Sequence, residues 1–107
     1  MAMITSFWNN KKIIVTGGSG FLGSHLVAKL IQNGLLGKRI IVPRSYDTDL
    51  RLWNNCVRLI KGNDIIIHLA AKVGGIGLNR KYPGTLFYDN AIMGIQLMEA
   101  ARQIGIE

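Results

Sequence analysis

Short, solidly apolar runs alternate along this chain with longer stretches whose apolar positions recur every three or four residues. Lys12 to Thr16, "KIIVT", is β-branched and apolar, the pattern of a strand buried on both faces. A glycine-rich turn follows. Then Leu22, Leu26, Val27, Leu30 and Ile31 recur at helical spacing while Ser24, Lys29 and Gln32 face away, and Gly34 supplies a stop. Arg39 to Pro43, "RIIVP", predicts a second strand. Residues 50–61 predict a helix with Leu52, Cys56, Leu59 and Ile60 apolar, and residues 64–70, "DIIIHLA", a third strand. A second glycine-rich loop, "VGGIGLNRKYPGT", leads to a last helix from Leu86 to Gln103.

Strands alternating with helices predict an α/β fold, a Rossmann-type parallel sheet with right-handed crossovers and flanking helices. The first strand should be central, with the second and third on either side. The loops after the first and third strands then flank a topological switch point, where open sheets of this kind bind their ligands.

The totals exclude several alternatives. At 107 residues the chain holds one small domain at most, and at 49% hydrophobic and 18% charged it should fold. The longest apolar runs are strand-sized, too short to cross a bilayer, and the N-terminus lacks the pattern of a secretory signal, so a cytoplasmic protein away from membranes is expected. The single cysteine, Cys56, can form neither an internal disulfide nor a metal cluster. The net charge of +7 is spread from Lys11 to Arg102 with no basic run longer than two and no interleaved aromatics, which argues against nucleic acid and for a small anionic ligand.

That ligand is legible in "VTGGSGFLGSHL". Gly18, Gly20 and Gly23 spell G-x-G-x-x-G, and they lie directly between a strand and a helix, the context that makes the motif informative. Gly17 and Gly18 serve the tight turn, Gly20 the approach of a diphosphate, and Gly23 close helix-to-strand packing. The helix start at Phe21 and Leu22 offers N–H groups and a positive dipole end to the phosphates. The loop ends in "GFLGSH" without a Walker lysine, so the nucleotide is a dinucleotide rather than ATP. At the end of the second strand an acid favours NAD and an arginine NADP. This chain has Arg44 there and no acid before Asp47, with Ser19 and Ser45 as extra donors, so NADP (NADPH) is expected over NAD.

"VTGGSGFLGSHLVAKL" resembles the opening of the extended short-chain dehydrogenase/reductases, the nucleotide-sugar epimerases, dehydratases and reductases. "AAKVGGI", followed by Asn79, Pro83 and "YDN" (88–90), is similar to the GDP-L-fucose synthases among them. Those enzymes convert GDP-4-keto-6-deoxy-mannose to GDP-L-fucose by two epimerisations and an NADPH-dependent reduction. The resemblance implies a GDP-sugar substrate, a homodimer, and a diphosphate loop formed by Gly17, Gly18, Ser19, Gly20, Phe21, Leu22 and Gly23. It further implies that Arg44 to Leu50 wrap the adenosine end, with Asp49 reaching the adenine. Ala70, Ala71 and Lys72 would pass the cofactor's ribose and phosphates. Gly74 and Gly75 would open toward nicotinamide and sugar, and Asn90 would support the active site. Ser19 replaces an arginine that some members use for the 2′-phosphate, which puts more weight on Arg44.

Such reductases rely on a Tyr-x-x-x-Lys pair, and four positions after Tyr46, Tyr82 and Tyr88 stand Leu50, Leu86 and Ile92. No catalytic pair lies in these residues. "EAARQIGIE" reads as a helix with a further strand about to start, and without one the third strand would be an open edge. Residues 1–107 are therefore expected to be the N-terminal portion of a nucleotide-binding domain whose catalytic and substrate-binding remainder is absent. Three readings stay open: a GDP-L-fucose synthase-like epimerase-reductase, another epimerase or dehydratase of the superfamily, and a non-catalytic dinucleotide-binding or interaction module. His68 is expected to be a packed, hydrogen-bonded histidine, His25 structural, and Asp64 a turn residue. The last helix carries two apolar stripes, Phe87, Ala91, Met98 and Ala101 on one side and Tyr88, Ile92, Ile95 and Leu97 on another, more than one sheet face can cover.

Overall fold

The computed structural model describes residues 7–8, 10–71 and 76–106. Three parallel strands, β1 (Ile13–Thr16), β2 (Ile40–Ile41) and β3 (Ile65–His68), form one sheet in the order β2-β1-β3. Among the described residues the helices α1 (Phe21–Gln32), α2 (Trp53–Ile60), α3 (Ile76–Lys81) and α4 (Pro83–Ile104) accompany them. The fold is α/β and of the Rossmann type, with β1 central, as expected of its buried, β-branched residues.

Because strand side chains alternate, β1 feeds two cores. Ile13 and Val15 pack with Leu30 and Leu35 on the α1 side. Ile14 meets Leu50, Cys56, Ile60, Leu97, Ala100 and Ala101 on the side covered by α2 and α4. Ile13, Ile14, Val15 and Thr16 are all inaccessible to solvent. Ile13 and Ile14 face Ile40 and Ile41 on one side, and β1 pairs along its whole length with β3 on the other.

Several boundaries differ from expectation for local reasons. β2 is two residues long rather than the five of Arg39 to Pro43, because Gly37–Arg39 is wound into a 3₁₀ turn and Pro43 has no N–H to give a ladder. The helix expected from residue 50 begins at Trp53, because the Asp49 carboxylate accepts the Arg51 N–H at 3.0 Å and the Asp49 carbonyl accepts the Leu52 N–H at 3.2 Å. That turn holds residues 49–52 outside the helix. Part of the loop expected before Leu86 is helical, as α3, and α4 starts at Pro83, whose fixed φ suits a first helical position.

His68 is hydrogen-bonded as expected, its Nδ1 2.6 Å from Thr16 Oγ1, but it is exposed rather than packed inside, because β3 is an outer strand of the sheet among the described residues. Asp64 behaves as a turn residue, accepting the Lys12 N–H at 2.8 Å. The two stripes of α4 are not buried as units. Leu97 and Ala101, one from each, face the core, whereas Phe87, Tyr88, Ile95 and Met98 share an exposed face. No helix among the described residues is long and apolar enough to cross a membrane.

Candidate functional site

The glycine turn is built by contact rather than by composition. Gly17 takes φ +72°, and a Cβ placed on it would stand 2.8 Å from the Ala70 nitrogen and the Leu69 carbonyl carbon. The exits of β1 and β3 therefore touch backbone to backbone. The Gly17 carbonyl accepts the Gly20 N–H at 3.0 Å and closes the turn. It also sits where a side chain on Gly23 would go, at 1.9 Å from an added Cβ. A Cβ on Gly18 would meet Val42 at 2.8 Å, so this glycine faces the sheet.

Gly20 precedes α1 without any side-chain cap, and the first turn carries no acid. The helix thus begins with N–H groups and a positive dipole end, the requirement for holding a phosphate. Ser19, Gly20, Phe21 and Leu22 are exposed around this end, while Gly18 and Gly23 are buried. Phe21 lies edge-on to His25, their ring centroids 5.0 Å apart.

Beside the turn lies a cleft of about 380 Å³, walled by Thr16, Pro43, Ser45, Thr48, Asp49, Leu50, Arg51, Ala70, Ala71 and Met93. It collects the ends of all three strands, as a switch-point site should. Of the residues implied by resemblance, Ser45, Thr48, Asp49, Leu50, Ala70 and Ala71 are in its wall. Arg44 is exposed between two wall residues, Pro43 and Ser45, in a turn whose Arg44 carbonyl accepts the Asp47 and Thr48 N–H groups. Asn90 is half-buried on α4. Lys72, Gly74 and Gly75 lie outside the described residues.

Thr16 stands only at the edge of the glycine motif, and two wall residues, Arg51 and Met93, lie outside every motif. Arg51 donates from Nε and Nη2 to the Asp49 carboxylate, at 3.0 and 2.9 Å, and from Nη1 to the buried Asp89 at 3.5 Å. The Asp49 carboxylate raises the Arg51 pKa above its ordinary value. The Asp49 carbonyl accepts from Asn55 Nδ2, and the Leu50 carbonyl accepts from Gln96 Nε2 and Cys56 Sγ, so α2 and α4 both pin this wall. An arginine two places after an aspartate was the only signal available for that clamp. Thr16 accepts the Leu69 and Ala70 N–H groups on Oγ1, at 3.0 and 3.1 Å, fastening the third strand's exit beside the glycine turn. Among the described residues no group of His, Cys, Asp or Glu could hold a metal ion.

A sequence profile of the NAD dependent epimerase/dehydratase family matches residues 13–107. The chain belongs to that family. GDP-mannose 3,5-epimerase 1 of Oryza sativa subsp. japonica is 28% identical over 94% of this chain and 30% of its own length. GDP-L-fucose synthase of Azorhizobium caulinodans is 36% identical over 82% of this chain and 28% of its own. Among solved structures, the UDP-glucose 4-epimerase of Thermus thermophilus in complex with NAD superposes with a TM-score of 0.71 at 28% identity, covering 89% of this chain and 35% of that one. The chain spans about a third of the length of these relatives.

Proposed function

We propose that this chain is the dinucleotide-binding N-terminal portion of a nucleotide-sugar epimerase-reductase similar to the GDP-L-fucose synthases, cytoplasmic and working with NADPH. The observation that carries the reading is the glycine turn wedged against Ala70 with an uncapped helix behind it, opening on a cleft at the strand ends. In this reading Ser19 to Leu22 hold the diphosphate on backbone N–H groups. Asp49 and Leu50 border the adenine, and Ala70 and Ala71, continuing into Lys72, follow the ribose and phosphates. Arg44 pairs with the 2′-phosphate. Gly74 and Gly75 lead toward the nicotinamide and the GDP-sugar, with Asn90 beneath them.

When bound, the cofactor supplies hydride for reduction of a 4-keto sugar. These residues bind and orient it, and proton transfer to the carbonyl falls to a Tyr/Lys pair in the remainder of the polypeptide. Tyr46, Tyr82 and Tyr88 are all exposed and outside the cleft wall, which fits the absence of a paired lysine. The exposed face of α4, with Phe87, Tyr88, Ile95 and Met98, supports a homodimer of the whole enzyme. A second reading, an NAD-using epimerase of the same family, draws support from the NAD-bound Thermus relative.

Phe21→Glu tests the site. It places an acid at an exposed position in the first turn of α1, which suits the helix dipole but repels a diphosphate. In the full-length polypeptide the variant should fold normally and lose at least tenfold in NADPH affinity. Unchanged affinity would contradict the assignment.

A further inference from the structure

Thr16 is fully buried, and its hydroxyl has more partners than the cleft alone explains. Oγ1 accepts the N–H groups of Leu69 and Ala70 and lies 2.6 Å from His68 Nδ1. A hydroxyl has two lone pairs and one proton. Two N–H donors use the lone pairs, so the proton must go to the imidazole. His68 Nδ1 is then an acceptor, and the ring is neutral with its proton on Nε2.

The two ends of this arrangement differ in exposure. Thr16, at the end of β1, is fully buried, whereas His68 is exposed on β3, an outer strand of the sheet among the described residues. The ring's Cδ2–Nε2 side lies over Gly94 of α4, where an added Cβ would be 3.9 Å from both atoms. Leu97, Met98, Ala101 and Arg102 of α4 line the same groove. Arg102 is the charged group there, and it is engaged by Glu99. From β1 only the uncharged Thr16 faces the ring, and β3 itself contributes Ile66 to the groove.

We infer that Thr16 and His68 form a positioning pair, in which the neutral imidazole orients the threonine hydroxyl so that its lone pairs hold the β3 exit loop against the glycine turn. The inference rests on the dinucleotide reading of the adjoining cleft. A proton added at Nδ1 leaves the hydroxyl proton without its acceptor and sends a third donor to an oxygen with two lone pairs. The Leu69 N–H also has the Thr16 carbonyl at 3.1 Å to fall back on. The Ala70 N–H bond to Oγ1 is the one that weakens. Since Ala70 is the residue that Gly17 touches, the cleft loosens when His68 is charged.

The test uses isotope-labelled protein at about pH 7.5 and about pH 5, on either side of the imidazole range. His68→Gln removes the His68 signals and so assigns them. The expected result is the Nε2–H tautomer near pH 7.5 and an Ala70 amide whose protection factor falls about tenfold on acidification, roughly one hydrogen bond. His68→Gln keeps an acceptor that does not titrate and should abolish that fall. Thr16→Ser should behave as wild type, and Thr16→Val should lose the protection at both pH values.

An Nδ1–H tautomer, or equal pH dependence in wild type and His68→Gln, would overturn the pair. NADPH affinity, measured on the same samples, separates this inference from the one beneath it. If NADPH binds, its affinity should fall several-fold more on acidification in wild type than in His68→Gln, and equal falls overturn the positioning role. If neither protein takes NADPH while the amide and tautomer results hold, the dinucleotide reading fails and the pair stands.

Discussion

Gly23 lies so close to Gly17 that a Cβ built on it would stand 1.9 Å from the Gly17 carbonyl oxygen. The same Gly17 reaches Ala70 on its other side, so one short turn couples the start of α1, the end of β1 and the exit of β3.

Gly23→Ala should therefore destabilise the fold as an overpacked core does, by about 2–3 kcal/mol, because the atom it meets is backbone. Gly20→Ala, whose Cβ would stand 3.3 Å from the Gly17 oxygen, should cost less than about 1 kcal/mol. Urea midpoints of the two variants check the contrast, and equal losses would mean that the turn relaxes freely.

Arg44→Ala in the full-length polypeptide should reduce the preference for NADPH over NADH by about tenfold to a hundredfold, the worth of one charge-assisted contact. Competition titrations with both cofactors measure the ratio. An unchanged ratio would return Arg44 to an ordinary exposed arginine and favour the NAD reading.

The course of the chain was legible where one physical signal dominated. β1 is β-branched throughout and apolar from Ile13 to Val15, and it became the central strand, while G-x-G-x-x-G between strand and helix located the turn. What failed to show were features that depend on a partner distant in sequence. Thr16 looks like the last β-branched residue of a strand, and its role needs Ala70, 54 positions away. Arg51 joins Asp49 to Asp89, and α4 begins at Pro83 because that proline serves as a helix start rather than a turn residue. The stripes of α4 read as two surfaces, yet packing against β1 and α2 took one residue from each.

Burial pushes the Cys56 thiol up to about 11, and its Sγ donates to the Leu50 carbonyl at 3.2 Å. The thiol should stay protonated and resist alkylation by iodoacetamide at neutral pH until the chain unfolds. Mass spectrometry across a urea series should show labelling that tracks unfolding. Prompt labelling of the native chain would show that the α2–α4 core opens locally.

Burial lowers the His68 pKa below the ordinary 6.5, and the inferred donation from the Thr16 hydroxyl to Nδ1 acts in the same direction. The unfolded chain then binds more protons than the folded one between the two values, so stability rises with pH in that window. The contribution is fully present above the unfolded value and is lost as pH falls through the folded one. Denaturation midpoints should decline on acidification across that window, and His68→Gln should remove this part of the decline. Identical curves for the two proteins would contradict it.

The central claim is that these 107 residues hold a cofactor site while the chemistry lies in the rest of the polypeptide. NADPH oxidation with GDP-4-keto-6-deoxy-mannose, followed for the 107-residue chain and for the full-length polypeptide, tests it most directly. The account predicts turnover only for the longer protein, since a positioned acid alone is worth about 10²–10⁴ in rate. Turnover by the 107-residue chain, or a full-length protein indifferent to NADPH and this substrate, would contradict it.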